Sequence, residues 1–536
     1  MRSSPAAVLK SVSAALTCAL TVAASAQESP ATPATGAPAA QAAPAAEEGS
    51  FSAPVAIVGE TVIPITLEDA VQLALASNLG LRSESFNRDV ARESVVIADA
   101  VYEPVFALSA TTSEAETPNT VVTTESTSST RLNGSASVSQ RVITGATVTL
   151  QGNLTRAEQV GGAAATNLFY GSDVALNLRQ PLLAGAGFKV NRAARQRARI
   201  GVERSNLTYA GQAMDIVRDT ELAFFELASA HYALDVQRTG LATAEQFLAE
   251  NEARRSAGIA TELDVMQARV SVANRQAQIV TTEQRVRDAT DRLLALFGRR
   301  DFSGILQPTG YVFAPPAALS VEAVYGRAAE NDPLIRNNRG LLRQLELDAY
   351  TARNNRLPRL DLIGTLGFSG SDRYNINTNP NPGYGGAIDD LGTGDAYNWQ
   401  VGVSLNLPWG MNEGRARKRI ADYSVEQQKI RLEELEQVLM VNIRAAVRAV
   451  EADKQTVGIN ALSTELSQRE FELEKAKFDS GLSTSRLVVE AQQRWDEARV
   501  REIQSRVQLR QDLARLRRLE GGSLQAYGVT SLEPEE

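Results

Sequence analysis

One cysteine and one histidine in 536 residues leave little for nucleophilic, redox or metal chemistry. The cysteine, Cys18, lies in an N-terminal stretch with a basic start (Arg2, Lys10), an apolar run over 11–23 and a small-residue ending at Ala26. That pattern reads as a secretory signal over 1–26, cleaved after Ala26. Thr17 directly before Cys18, and apolar sequence continuing past it, argue against a lipoprotein signal. The mature chain would then have neither disulfide nor thiol nucleophile. It also has no phosphate-binding glycine loop and no zinc-type cluster, so the expectation is a protein that is not an enzyme and uses no cofactor or metal. His231 falls on a helical stretch as a surface or seam residue. Aromatic residues are scarce, 5% against 43% hydrophobic in total, which suits long helices with alanine-rich seams better than large globular cores. After the signal there is no uncharged apolar run of about 18 residues, the length a membrane helix needs. Entry into a bilayer would therefore require a closed β-barrel, the other structure that satisfies every backbone hydrogen bond in hydrocarbon. A basic surplus is missing too: the net charge of −8 excludes nucleic acid as the expected partner.

What is present is duplication. After an Ala/Pro-rich leader over 27–62, expected to be disordered, two repeats span 63–300 and 319–522, separated by a linker at 301–318 and followed by a tail at 523–536. Leu67 aligns with Val321, Glu68 with Glu322, Ala74 with Ala328 and Pro104 with Pro358, all at an offset of 254. Each repeat runs helix (65–103; 319–357), β segments (104–181; 358–408) and long helical hairpin (188–298; 412–520). Pro104 and Pro358 mark helix exits, and Pro181 and Pro408 mark strand exits. Alternating segments at 106–112, 135–142, 146–155, 173–180, 361–368 and 399–407 are rich in β-branched and small residues and have the length of tilted membrane strands. Two strands per repeat are expected; the hairpin at 135–155 would add two more to the first. Trp399 and Trp409 fit an aromatic belt, although Trp409 would equally fit a strand–helix joint, and Trp495 fits a helix core.

So few strands cannot close a barrel alone, because the smallest have about eight, so a barrel would need several protomers; the alternative is a soluble β-sandwich inserted between the helices. The proline-free stretches at 189–257 and 413–480 span on the order of 100 Å if helical. Each ends in a matched motif, at 257–261 and 480–484, where Gly258 and Gly481 stop one helix and Thr261 and Thr484 start the next.

The tandem layout, the stretch QPLLAGAG at 180–187 and the paired G-x-x-T tips followed by DVMQA (264–268) and VVEAQ (488–492) resemble the TolC family of outer membrane channels. The resemblance covers about 63–522. It implies a mixed α and β fold, with tandem-repeat long α-helical hairpins forming a periplasmic tunnel and antiparallel membrane strands contributed by each protomer of a trimer. It also implies location in the outer membrane, in contact with its lipid and extending into the periplasm. The function implied is a passive exit duct in tripartite efflux or type I secretion, coupled to a periplasmic adaptor protein and an inner-membrane efflux pump or ABC transporter. Drugs, metals, peptides and proteins are all conceivable cargo. By position, the tip residues Gly258, Ile259, Thr261, Gly481, Leu482 and Thr484 would meet the adaptor, while Asp264, Gln267, Leu487 and Glu490 would ring the closed aperture. Asp264 could instead only cap its helix, and Glu490 could be a solvated helix residue. The chain departs from the family at Phe478, Ser483 and Leu487, where relatives often carry an aromatic hydroxyl, an Arg and an Asp; Arg255 or Arg486 could supply the missing cation, and Leu487 could form a hydrophobic constriction. The competing reading is a secreted or periplasmic coiled-coil scaffold with a β-rich head.

Overall fold

A computed structural model describes residues 62–118, 126–160, 167–310 and 319–529. The described residues all belong to one compact unit within 53–536. The expected signal, most of the leader and the end of the tail lie outside them.

The first repeat contains β1 (Val62–Ile65), α1 (Leu67–Ser77), α2 (Leu79–Ala100), β2 (Val105–Pro118), β3 (Ser126–Arg141), β4 (Thr147–Val160), β5 (Asn167–Pro181), α3 (Phe188–Ser256) and α4 (Glu262–Leu296). The second contains β6 (Ile305–Pro308), α5 (Val321–Asn331), α6 (Pro333–Asn355), β7 (Arg359–Arg373), α7 (Tyr384–Thr393), β8 (Tyr397–Asn406), α8 (Asn412–Asp479) and α9 (Ser485–Leu519). A short 3-10 turn, Gln525–Tyr527, follows.

The single helix expected over 65–103 is two helices. Asn78 leaves helical geometry (ψ 125°) and caps α2 by accepting from Leu81 N at 3.0 Å, while its side-chain amide donates to Leu296 O at 2.9 Å. The helix expected over 319–357 breaks at the equivalent position, 254 residues on, where Asp332 caps α6 and Pro333 opens it. The reason is the same at both sites: the side chain accepts from the backbone N–H groups of the new helix, so the break leaves few donors unpaired. The described part of the linker is not structureless, since β6 pairs in parallel with β1 across the repeats, Val62 opposite Ile305; residues 311–318 lie outside the described residues. Such a pairing, between four-residue strands far apart in sequence, carries no local pattern.

β2-β3-β4-β5-β7-β8 form one antiparallel sheet in that order, so both the uncertain strands are present and the first repeat contributes four strands to the second's two. The register sorts the side chains. One face carries Phe106, Leu108, Val138, Leu150, Leu154, Val174, Leu176, Leu178, Leu366, Phe368, Trp399, Val401, Val403 and Leu405, and most of these are exposed. The opposite face carries chiefly Ser, Thr, Asn and Gln, such as Ser135, Ser137, Ser139, Thr149, Gln151, Asn153, Asn177, Thr365, Asn398 and Gln400. From Leu360 to Phe368 the apolar band covers about 27 Å of strand. Beyond it the same face turns charged, at Glu114, Glu116, Glu158 and Asp372. Here α7 packs on the sheet: Ala387 O accepts from Ser172 Oγ at 2.7 Å, and a Cβ at Gly370 would stand 2.2 Å from that carbonyl oxygen.

The helices bury two main cores. One joins α1, α3, α4 and β6 around Phe224, Leu227, Leu234, Leu293 and Phe297; the other joins α5, α6, α8 and α9 around Ile335, Ile443, Val450 and Leu516. His231 sits at the first, its Nε2 2.9 Å from Leu306 O, and burial pulls its pKa down. The 3-10 turn is clamped to α3 through the Tyr527 hydroxyl, which donates to Glu221, itself paired with Arg517 at 3.1 Å. Burial pushes the Glu221 carboxyl up.

Candidate functional site

The two hairpin tips are built alike. At the end of α3, Gly258 N donates to Arg255 O at 2.9 Å and Ile259 N to Arg254 O at 2.9 Å. At the end of α8, Gly481 N donates to Phe478 O at 3.0 Å and Leu482 N to Lys477 O at 2.8 Å. Both are left-handed glycine terminations, with φ +75° and +74°. The residue after each glycine is thrust outward: Ile259 is 76% exposed and Leu482 80%. Both tips therefore present an aliphatic side chain to solvent at the same place in the turn.

The helix starts differ. Thr261 caps α4 in a reciprocal box: Asp264 N donates to Thr261 Oγ1 at 3.3 Å, and Thr261 N donates to Asp264 Oδ2 at 2.9 Å. The Asp264 carboxylate is thus engaged in its own hairpin. Thr484 makes no such side-chain bond at α9. Instead Ser483 donates to Glu474, and hydrogen bonds from Ser483 and then Lys477 hold the Glu474 carboxyl below its usual range. Glu490 pairs with Arg486 one turn back at 3.0 Å. Gln267 and Glu490 are half-buried and Leu487 is 37% exposed. Within one protomer the four aperture candidates therefore lie near the tips but each carboxylate is bonded inside its own hairpin.

A small apolar cluster of Phe247, Ala268, Phe478 and Val488 joins the hairpins beneath the tips. Phe247 and Phe478 meet at 5.2 Å between ring centres. Arg254 covers this cluster. Its guanidinium lies 4.2 Å above the Phe478 ring, pairs with Glu250 at 2.9 Å and approaches Asp479 of the other hairpin at 3.6 Å. The cation joining the tips is therefore Arg254, whereas Arg255 is paired with Glu262 and Arg486 with Glu490. Two adjacent arginines, 254 and 255, were the only signal of it in the sequence. Farther along, Arg275 of α4 and Asp496 of α9 form a buried pair at 2.7 Å beside Gly240, where a Cβ would stand 3.0 Å from the Asp496 carboxylate. This pair, too, was invisible to periodicity.

The prolines stand where the elements change: Pro104 between α2 and β2, Pro181 ending β5, Pro358 just before β7 and Pro408 just after β8. Trp409, next to Pro408, is completely exposed rather than packed in the joint. Trp495 stacks on Phe471 at 5.5 Å.

Residues 147–299 and 324–522 match the sequence profile of the family described as outer membrane efflux protein. The pyoverdine export outer membrane protein OpmQ of Pseudomonas aeruginosa is 25% identical over 303 residues, 54% of this chain; the alignment spans 58% of that relative's length. The fold resembles the outer membrane channel CmeC of Campylobacter jejuni, with a TM-score of 0.60 and 18% identity over 85% of this chain and 86% of that one. It also resembles the MtrE outer membrane channel of Neisseria gonorrhoeae, with a TM-score of 0.61 and 17% identity over 85% and 89%.

Proposed function

Because the chain belongs to the outer membrane efflux protein family and so to the channels of the outer membrane, we propose that it is the trimeric exit duct of a tripartite efflux or secretion system. In this reading a periplasmic adaptor grips the tips and an inner-membrane pump or ABC transporter supplies the cargo and the energy. The observation that carries the proposal is the sorting of the six-stranded sheet, apolar on one face and polar on the other. A lipid-facing outside and a water-filled inside account for it without further assumptions. Among the described residues the sheet also has two free edges, β2 and β8. Unpaired strand edges are not tolerated in hydrocarbon, so these must meet between protomers. Three protomers would make eighteen strands.

The helices support the same assembly. Ile459, Leu462, Leu466 and Leu473 on α8 are exposed at heptad-like spacing, as are Phe86, Val90 and Ile97 on α2. Such stripes are seams awaiting another helix. At the tips, Ile259 and Leu482 are the adaptor anchors, and Asp264, Gln267, Leu487 and Glu490 the aperture, brought together only by threefold symmetry.

Cell fractionation and planar-bilayer recording test the proposal. The expected result is a protein that sediments with the outer membrane, resists extraction and, once purified, gives single-channel conductance steps. Release of most of it by osmotic shock would overturn the reading in favour of a periplasmic coiled-coil scaffold.

A further inference from the structure

The polar face of the sheet is not electrically neutral. Among the described residues of its strands it carries five arginines, Arg131, Arg141, Arg179, Arg359 and Arg373, and two aspartates, Asp173 and Asp361, within a chain whose overall charge is −8. Three of the arginines converge at the helical end of the sheet. Arg141, Thr147 and Arg179 lie side by side across β3, β4 and β5 in the ladder, and Arg359 and Asp361 follow on β7. These residues and Asn406 line a cleft of 570 Å³.

The charges in the cleft do not cancel. Asp361 is buried, with its side chain 3% exposed, and its Oδ2 accepts from Arg179 Nε at 2.9 Å and from Arg359 Nε at 3.2 Å. Arg141 Nη2 donates instead to a neutral oxygen, Asn191 Oδ1, at 2.9 Å. Three guanidiniums therefore face one carboxylate. Arg179 and Arg359 remain half exposed to the cleft, 50% and 58% by side chain, so donors remain available to a ligand. A guanidinium fork matches an oxyanion in shape as well as charge.

We propose that this cleft is a binding station for carboxylate- or phosphate-bearing solutes at the base of the barrel lumen. The lumenal placement rests on the channel reading above. The register keeps the arginines off the apolar face, so the ligand is a solute in the duct and not a lipid headgroup. Threefold repetition would turn the cleft into a collar of nine guanidiniums against three carboxylates. Anionic cargo would be drawn from the tunnel to this level and passed outward.

The test uses citrate and the double variant Arg141→Gln, Arg359→Gln, which leaves the Arg179–Asp361 pair intact. Calorimetry on the detergent-solubilised full-length protein should show citrate binding, weakened at least about tenfold in the variant. In planar bilayers of zwitterionic lipid, citrate added on the barrel side should block the wild-type current, and the variant should resist block. Arg141→Lys, Arg359→Lys, which keeps the charge, should retain most of the block and serves should the glutamine variant fail to fold. Conductance without citrate binding, or binding equal in wild type and the glutamine variant, would overturn the collar and leave the channel standing. Arginine-dependent binding in a protein that conducts nothing would keep the site and remove the channel.

Discussion

Arg254 pairs with Glu250 within its own hairpin, stacks on Phe478 and reaches the carboxylate of Asp479 in the other, so one side chain ties both tips through a cation–π contact and an ion pair. Asp264 poses the opposite problem: one carboxylate caps α4 and is also an aperture candidate. The two roles can be separated, because glutamine is accepted in the capping position without the charge. Asp264→Ala should lower thermal stability by roughly 1 kcal/mol through loss of the cap. Asp264→Gln should keep that stability, and the two variants should lose cation selectivity alike in single-channel recordings. Unchanged selectivity in Asp264→Gln would reduce Asp264 to a helix cap. Neither Arg254 nor the outward thrust of Leu482 needed a rare residue. The tips were legible from the glycine and threonine spacing, while the choice between Arg254 and Arg255 depended on the rotational phase at which a 69-residue helix ends.

Among the elements, α8 and α9 carry a titratable pair on their packed faces. Desolvation, a hydrogen bond shared with Asp512 and the charge of Asp512 push the Asp453 carboxyl up to about 6. Two carboxyls that share a site prefer to hold one proton between them. Since the folded pKa of Asp453 lies above its unfolded one, its contribution to stability is fully present below pH 3.8 and is lost as the pH rises through about 6. Thermal unfolding at pH 5 and pH 7.5 should show it: Asp453→Asn should raise the melting temperature at pH 7.5 relative to wild type, with a smaller gain at pH 5. An equal effect at both pH values would refute the shared proton. Element boundaries were legible where proline or glycine set them, as at Pro104, Pro358, Gly258 and Gly481. The breaks at Asn78 and Asp332 were not, because Asn and Asp occur in many helices and only tertiary bonds such as Asn78 to Leu296 O commit them to capping. Strand count was partly legible: alternation found all six strands but could not decide whether β3 and β4 join the others, which is a matter of pairing between strands.

At the scale of the whole molecule, two strand edges and two helical stripes are left without a neighbour among the described residues. In the proposed assembly the stripes on α2 and α8 and the edges at β2 and β8 would meet a second copy of the protein, while the apolar side of the sheet would meet lipid. Cysteine pairs introduced along β2 and β8 test this directly, since the native cysteine is lost with the expected signal. Oxidation should convert most of the membrane-embedded protein to covalent trimers, whereas pairs placed in the central strands β4 and β5 of different protomers should give none. Monomers alone after oxidation along the full length of β2 and β8 would refute a shared barrel. The open edges also constrain how the protein reaches its destination. A lone protomer that entered the bilayer would strand the backbone donors of two strand edges in hydrocarbon, so insertion and assembly would be a single event. Arrival in the membrane would then follow a rate law steep in protomer concentration: halving synthesis would cut the yield of finished pores by much more than half, and a co-expressed protomer with a blocked β8 edge would poison its neighbours.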